Sequence, residues 1–287
     1  MSDELAPTPE NLADPAVVAA CLEVLRQQPA ALVTDIDGTI SPIAPTPFEA
    51  VVHADALLAL ERLTDLLSAV AVVSGRAPRD GAAMVGLGQI TYIGNHGLER
   101  IVRGAPWTHP VAEASRPAIA AALTEIQAGV LAAGDAPWLI IENKGVTGTV
   151  HYRLAEDPEA AVALLAPLAA VAAERHGLRV VPGRMIVELR PALSLNKGTA
   201  IRDLVTELGL RGVVFFGDDV TDVDGFMALR ALREEGLAAT LSVGVLAAET
   251  PEVVARNVDL YVHGVPACAA TLLEIAAQLP VLPPPPA

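Results

Sequence analysis

Four short apolar runs constrain what this chain can fold into: Ala30 to Val33, Ala69 to Val73, Ile90 to Ile93 and Val213 to Phe216. Each is too short for a buried helix, and glycine or polar residues follow it, so each reads as a buried strand. Helically spaced apolar residues lie between them, as in Val51 to Leu67, where His53, Asp55, Glu61 and Arg62 fall on the wet side. Alternation of this kind implies a parallel sheet with right-handed crossovers, an α/β architecture. Ligands of open α/β sheets bind at the carboxyl ends of the strands. Here those ends read Asp35-Ile-Asp37-Gly38, Ser74-Gly75-Arg76, Gly94-Asn95-His96-Gly97 and Gly217-Asp218-Asp219.

The rhythm changes after Glu99. Trp107 to Pro110 reads as loop and Ala114 to Ala133 as one long helix. Strand-like runs follow at Trp138 to Glu142 and Thr147 to Tyr152, with Gly145 as a hairpin signal. Asp157-Pro158 starts another helix, and a second strand pair, Leu178 to Val181 and Met185 to Leu189, is split by Pro182-Gly183. This α+β stretch is expected to be an inserted cap domain, residues 111–190, within a core of residues 1–110 and 191–287. In the returning core, Asn196 caps a helix, Thr221 opens another, and strands near Thr240 to Val243 and Asp259 to Val262 precede a last helix from Pro266 to Leu279. Residues 281–287, with Pro283 to Pro286, are expected to form a flexible proline-rich tail.

A hydrophobic content of 52% supports a large core, and with aromatics at 3% that core must be built from Ala, Leu and Val. The net charge of -15 argues against nucleic acid or an anionic membrane as partner. It also opposes an anionic substrate, but charges beyond roughly 8 Å are screened at physiological salt, so the local field decides. Cys21 and Cys268 fit neither a disulfide framework nor a metal-site spacing. With no basic, apolar leader at Met1 and no tract long enough to span a bilayer, a cytoplasmic protein is expected.

Asp35 and Asp37 offer a nucleophile or metal ligand and a second acid within reach of the same atom, although a strand ending in an Asx turn would carry the same residues. Asp218, Asp219, Asp222 and Asp224 place four carboxylates within seven residues. Such crowding repels unless a cation sits among the acids, and an oxygen-only set suits Mg²⁺. Ser74, before Pro78 at a helix start, offers a hydroxyl and exposed amides to an anion. Lys197 lies just inside a helix start, where the dipole disfavours lysine, which suggests a fixed positive charge with a purpose.

Taken together, Asp35-Ile-Asp37-Gly-Thr, Ser74, Lys197 and Gly217-Asp218-Asp219, in that order, resemble the haloacid-dehalogenase (HAD) superfamily of phosphotransferases. The expected architecture is therefore a Rossmann-like HAD core with a parallel sheet plus an inserted α+β cap. More narrowly, Val-Ser-Gly-Arg, Gly-Asn-His-Gly-Leu-Glu, His-Tyr-Arg, Gly-Arg-Met-Ile-Val-Glu-Leu-Arg-Pro and Gly-Asp-Asp-Val-Thr-Asp-Val-Asp resemble the trehalose-6-phosphate phosphatase family. One position departs from that pattern: Val223 stands where the family usually has Glu.

The resemblance implies Mg²⁺-dependent hydrolysis of trehalose 6-phosphate, the last step of trehalose biosynthesis, through an aspartyl-phosphate on Asp35. Asp37 would be the acid and base, and Ser74 and Lys197 would hold the phosphoryl oxygens. The metal would be held by Asp35, the Asp37 main-chain carbonyl and Asp218, with Asp219 and Asp222 in support. Substrate binding would fall to Arg76, Asn95 and His96 of the core and to Glu142, Lys144, Arg153, Arg184 and Glu188 of the cap. Two apart on a strand, Glu142 and Lys144 share a face, as do His151 and Arg153. Association with the synthase that makes trehalose 6-phosphate would follow from the same resemblance. Other readings of these residues are a related phosphatase of sucrose phosphate or a mannosyl phosphate, and a non-catalytic sugar-phosphate sensor.

Overall fold

The computed structural model describes residues 12–183 and 185–280, so Arg184 and the 281–287 tail lie outside the described residues. The chain forms two compact units. One runs to Pro106 and resumes at Leu195, and the other is Trp107–Ser194.

In chain order the first unit contributes α1 (Pro15–Leu25), β1 (Ala30–Thr34), α2 (Ala54–Leu66), β2 (Ala69–Val73), α3 (Pro78–Val85), β3 (Thr91–Gly94), β4 (Glu99–Val102) and the start of β5 (Ala105–Thr108), whose last two residues already belong to the second unit. The second unit holds α4 (Pro110–Ala114), α5 (Arg116–Ala133), β6 (Ile140–Asn143), β7 (Gly148–His151), α6 (Pro158–His176), β8 (Leu178–Gly183) and β9 (Ile186–Pro191). The chain then returns through α7 (Lys197–Leu208), β10 (Gly212–Gly217), α8 (Val220–Glu234), β11 (Ala239–Leu246), α9 (Glu252–Ala255), β12 (Leu260–His263) and α10 (Gly264–Gln278).

The first unit is an α/β sandwich around one eight-stranded sheet, ordered β12-β11-β10-β1-β2-β3-β4-β5. Strands β12 through β3 are parallel, and β4 joins β3 antiparallel. Strand β1 is buried along its whole length because both of its faces are covered. Ala30 and Leu32 face α1, α2 and α10 through Leu22, Leu60 and Leu272. Ala31 and Val33 face α7 and α8 through Ile201, Phe226 and Leu229. Burying each of the larger side chains among these, the Leu, Val, Ile and Phe, stabilises the fold by about 1.5–3 kcal/mol. Asp35 and Asp218 directly follow adjacent parallel strands, because β1 pairs with β10 in register from Ala30↔Gly212 to Thr34↔Phe216.

The second unit is a four-stranded antiparallel sheet, β6-β7-β9-β8, with α5 and α6 on one face. Val150, Val187 and Leu189 meet Ile126 and Leu165 in its core. Strand alternation sends Glu142, Thr149 and Glu188 to the other face, where they stand in register across three strands.

Several local expectations change. Trp107 and Thr108 belong to β5 instead of a loop, and the expected long helix is α5, starting at Arg116 after Ser115 and preceded by the short α4. His53 starts α2 at Ala54, since its Nδ1 accepts the Asp55 N–H at 3.3 Å. His109 caps α4 in the same way through the Val111 N–H. Among the described residues no helix is long and apolar enough to cross a membrane.

Candidate active site

The first unit gathers its chemistry where β1, β2, β3 and β10 end. Asp35 continues the β1 pairing, its N–H donating to Phe216 O at 3.0 Å, and this fixes the carboxyl at the edge of the sheet. Asp35 is buried, and its Oδ2 accepts from Lys197 Nζ at 2.8 Å while Oδ1 has no hydrogen-bond partner. Burial, helped by the Asp222 and Asp37 charges, outweighs the pull of Lys197 and pushes the Asp35 carboxyl up to about 6.

Lys197 opens α7, which Asn196 caps by accepting the Thr199 N–H at 2.9 Å. Only 1% exposed, Lys197 also donates to Asp222 Oδ1 at 2.6 Å. Burial alone would favour its neutral amine. The Asp222 and Asp35 charges outweigh that and hold it protonated well above the usual lysine range. These two carboxylates explain why a lysine sits at a helix start.

Asp218 is buried and accepts from Thr39 Oγ1 at 2.9 Å. Burial raises its carboxyl well above the usual range, and Asp222 and Asp35 add to the rise. Asp222 accepts the N–H groups of both Asp218 and Asp219 on Oδ2 at 3.0 Å, which locks the turn into α8. Asp219 is half-buried at the start of that helix. Gly38 lets the acids approach: its φ is +83°, and a Cβ there would stand 2.0 Å from Asp218 Oδ2.

Asp35, Asp218 and Asp222 each present a carboxylate oxygen within 4.8 Å of the others. Three buried acids, two with raised proton affinity and one with an orphaned oxygen, form a hard donor set that fits a divalent cation. Asp222 is otherwise engaged through both oxygens, which leaves Asp35 Oδ1 and Asp218 as the better ligands.

The Asp37 carboxylate lies outside that cluster. Arg76 holds it by a two-point bridge, Nε to Oδ2 and a terminal nitrogen to Oδ1, both at 2.7 Å. Sequence reasoning assigned Arg76 to substrate, and the structure gives it this partner as well as Pro47 O at 2.9 Å. Ser74 is buried after β2, its Oγ accepting the Arg76 N–H at 3.3 Å.

Asn95 and His96 have left-handed φ values of 48° and 58°. Asn95 N–H donates to Arg76 O at 2.8 Å and His96 N–H to Ser74 O at 3.1 Å, so the β3 turn braces the β2 turn. The Asn95 side chain is fully buried and donates to Glu99. His96 lies against Gly75, where a Cβ would come within 2.7 Å of its Nε2. Both positions therefore act on the Ser74 loop.

In the second unit, the polar sheet face carries a row of alternating charge. His151 Nε2 lies 2.8 Å from Glu142 Oε2, Lys144 Nζ lies 3.8 Å from Glu142 and 4.0 Å from Glu188, and Arg190 Nε donates to Glu188 Oε2 at 2.8 Å. Thr149 lies between the two glutamates in register, buried, with no hydrogen-bond partner for its hydroxyl. Sequence reasoning missed Arg190 and Thr149. The period of two from Glu188 and Glu142's cross-strand pairing were the signals available. Lys144 is beyond the end of β6, because Asn143 Oδ1 accepts the Gly145 N–H at 2.9 Å and turns the chain. Arg153 likewise lies in the turn past β7, half-buried.

Val223, the departure noted in the sequence, is partly buried against the Ile201–Phe226 core.

A parallel sheet with acids at its strand ends and a separate α+β unit define an α/β protein with an inserted second unit. The fold matches the solved C-terminal domain of Candida albicans trehalose-6-phosphate phosphatase at a TM-score of 0.75 and 22% identity, covering 96% of this chain and 99% of that one. A second structure, a trehalose-6-phosphate phosphatase related protein, matches at 0.68 and 24% identity over 86% and 97%. The trehalose-phosphatase family profile matches residues 33–253, and the chain belongs to that family. It is similar to the trehalose-phosphate phosphatases of Mycobacterium marinum, 33% identical over 201 residues (68% of this chain, 50% of that one), and Mycobacterium avium, 36% over 211 residues (71% and 52%). The chain thus spans about half the length of these relatives.

Proposed function

We propose that this chain hydrolyses trehalose 6-phosphate to trehalose and phosphate. The observation that carries the reading is Asp35 Oδ1, a buried carboxylate oxygen with no hydrogen-bond partner beside a buried lysine and two further acids. That arrangement supports a nucleophile already desolvated and oriented, and the likeness to mycobacterial trehalose-phosphate phosphatases supports a trehalose phosphate as substrate.

Asp35 attacks phosphorus. The bond from phosphorus to the sugar oxygen breaks, and Asp37 gives that oxygen a proton. Water then attacks the aspartyl-phosphate, Asp37 takes a proton from it, and phosphate leaves with Asp35 restored. Arg76 engages both oxygens of Asp37, so proton donation requires one of them to be released. Ser74 and Lys197 hold the phosphoryl oxygens, where charge must be stabilised. Asp35, Asp218 and the Asp37 carbonyl would hold Mg²⁺, with Asp219 and Asp222 keeping the turn in shape. Bound there, Mg²⁺ supplies charge neutralisation for the nucleophile and the phosphoryl group.

Glu142, Lys144 and Glu188, with Arg153, read the sugar hydroxyls, which need both donors and acceptors. Phosphate release measured across trehalose 6-phosphate, sucrose phosphate, mannosyl phosphates and glucose 6-phosphate tests the reading. Preference for trehalose 6-phosphate is expected, and a tenfold or greater preference for another sugar overturns the substrate assignment.

A further inference from the structure

The segment after Asp37 forms a closed loop. At its base Ser41 Oγ donates to Val51 O and His53 N–H to Ile40 O, both at 2.8 Å, which brings the ends of residues 42–51 together. Pro42, Pro45 and Pro47 limit its backbone freedom. Glu49 N–H donates to Thr46 O at 3.2 Å, making residues 46–49 a turn with Pro47 at the position where proline is favoured. The Pro47 carbonyl accepts from Arg76, the guanidinium that also grips Asp37.

The next residue, Phe48, is 78% exposed, while the other three phenylalanines, Phe215, Phe216 and Phe226, are fully buried. Val51 and Ile43 in the same loop are exposed too. An aromatic ring held in water at the tip of a pinned, proline-stiffened loop is unfavourable by itself and suits a ligand with an apolar surface.

We propose that Phe48 is the apolar contact for the departing sugar, packing against the C–H face of its ring. The inference rests on the phosphosugar-phosphatase reading above. The sugar oxygen must come to Asp37 to be protonated, so the attached ring lies in the neighbourhood of the residues Arg76 ties to Asp37. A pyranose has a polar rim and an apolar face, and an aromatic side chain serves the face.

The test compares kcat/KM for trehalose 6-phosphate with that for glycerol 2-phosphate in the parent, Phe48→Ala and Phe48→Trp, together with the thermal midpoint of each. Phe48→Ala is expected to lower the trehalose-to-glycerol ratio about tenfold, the factor set by 1.4 kcal/mol, mainly through KM, and Phe48→Trp to restore it. The thermal midpoint should not move, because the ring is exposed. An unchanged ratio in Phe48→Ala overturns the proposal and points to a protein partner for the loop. Equal losses on both substrates also overturn it and make Phe48 a support of the loop. A parent inactive on trehalose 6-phosphate but active on another phosphosugar overturns the substrate reading alone, and the Phe48 ratio is then read on that sugar. A parent inactive on every phosphosugar overturns both.

Discussion

Lys197 Nζ donates to Asp35 Oδ2 at 2.8 Å, linking the first residue of α7 to the end of a strand 162 residues earlier. Both groups are buried, and the same ammonium reaches Asp222 at 2.6 Å, so one cation offsets two acids. Lys197→Ala leaves Asp35, Asp218 and Asp222 crowded without a compensating charge. Removing one partner of a buried ion pair typically costs about 3–5 kcal/mol. Guanidinium unfolding in EDTA should register a loss of that order, along with loss of turnover. A loss below about 1 kcal/mol would mean the acids are neutral in the folded chain and need no counter-charge.

The raised proton affinity of Asp35 carries a pH dependence of definite sign. Its carboxyl is near the usual 3.8 when unfolded and about 6 when folded, so the folded chain holds the extra proton. Metal-free stability therefore falls as pH rises through that window and stays low above it. A divalent cation removes the penalty by replacing the proton. Millimolar MgCl₂ should raise the thermal midpoint strongly near about pH 7 and hardly at all near about pH 4.5, where protons already occupy the site. Equal shifts at both pH values would place the cation away from Asp35.

Asp37→Asn should reduce turnover of trehalose 6-phosphate by at least ~10²-fold, a typical general acid–base contribution. The amide keeps the size of the side chain but cannot give or take the proton, and one of its ends no longer accepts from Arg76. A nitrophenyl phosphate has a leaving group that needs little protonation, so its first step should suffer less. Equal losses on the two substrates, measured under single turnover, would remove Asp37 from the role of acid.

The parallel architecture was legible because the buried strands are continuous apolar runs, and the polar residues that end them, Asp35, Ser74 and Asp218, identify the chemical edge of the sheet. Pairing across long separations was not. Nothing near Lys197 announces Asp222, 25 residues on, because the contact depends on how α7 and α8 pack. Strands β4 and β5 were hidden for another reason. Arg103 and Gly104 turn the chain between them, and the half-exposed residues of an edge hairpin lack the apolar run that betrays a central strand. That Asn95 and His96 brace the Ser74 loop was unreadable, because their left-handed backbone and the bonds to Arg76 and Ser74 exist only in the folded turn.

Glu142 offers the test of the second unit. Its carboxylate lies on the polar sheet face, 2.8 Å from His151 and 3.8 Å from Lys144, and in register with Thr149 and through it with Glu188. Glu142→Ala removes the acceptor proposed for sugar hydroxyls while Asp35, Asp37, Asp218 and Lys197, all in the other unit, keep their bonds. A polar site that loses one buried partner typically gives up about 1–3 kcal/mol, or roughly ten- to hundredfold in the step that uses the contact. That loss should fall on kcat/KM for trehalose 6-phosphate and much less on glycerol 2-phosphate, whose leaving group has little for the sheet to read. His151→Gln, which can still donate to Glu142, should retain most of the parent's preference, whereas His151→Ala removes that donor and should lose part of it. If Glu142→Ala lowers both substrates by the same factor, the carboxylate supports the sheet and the sugar-reading role belongs elsewhere.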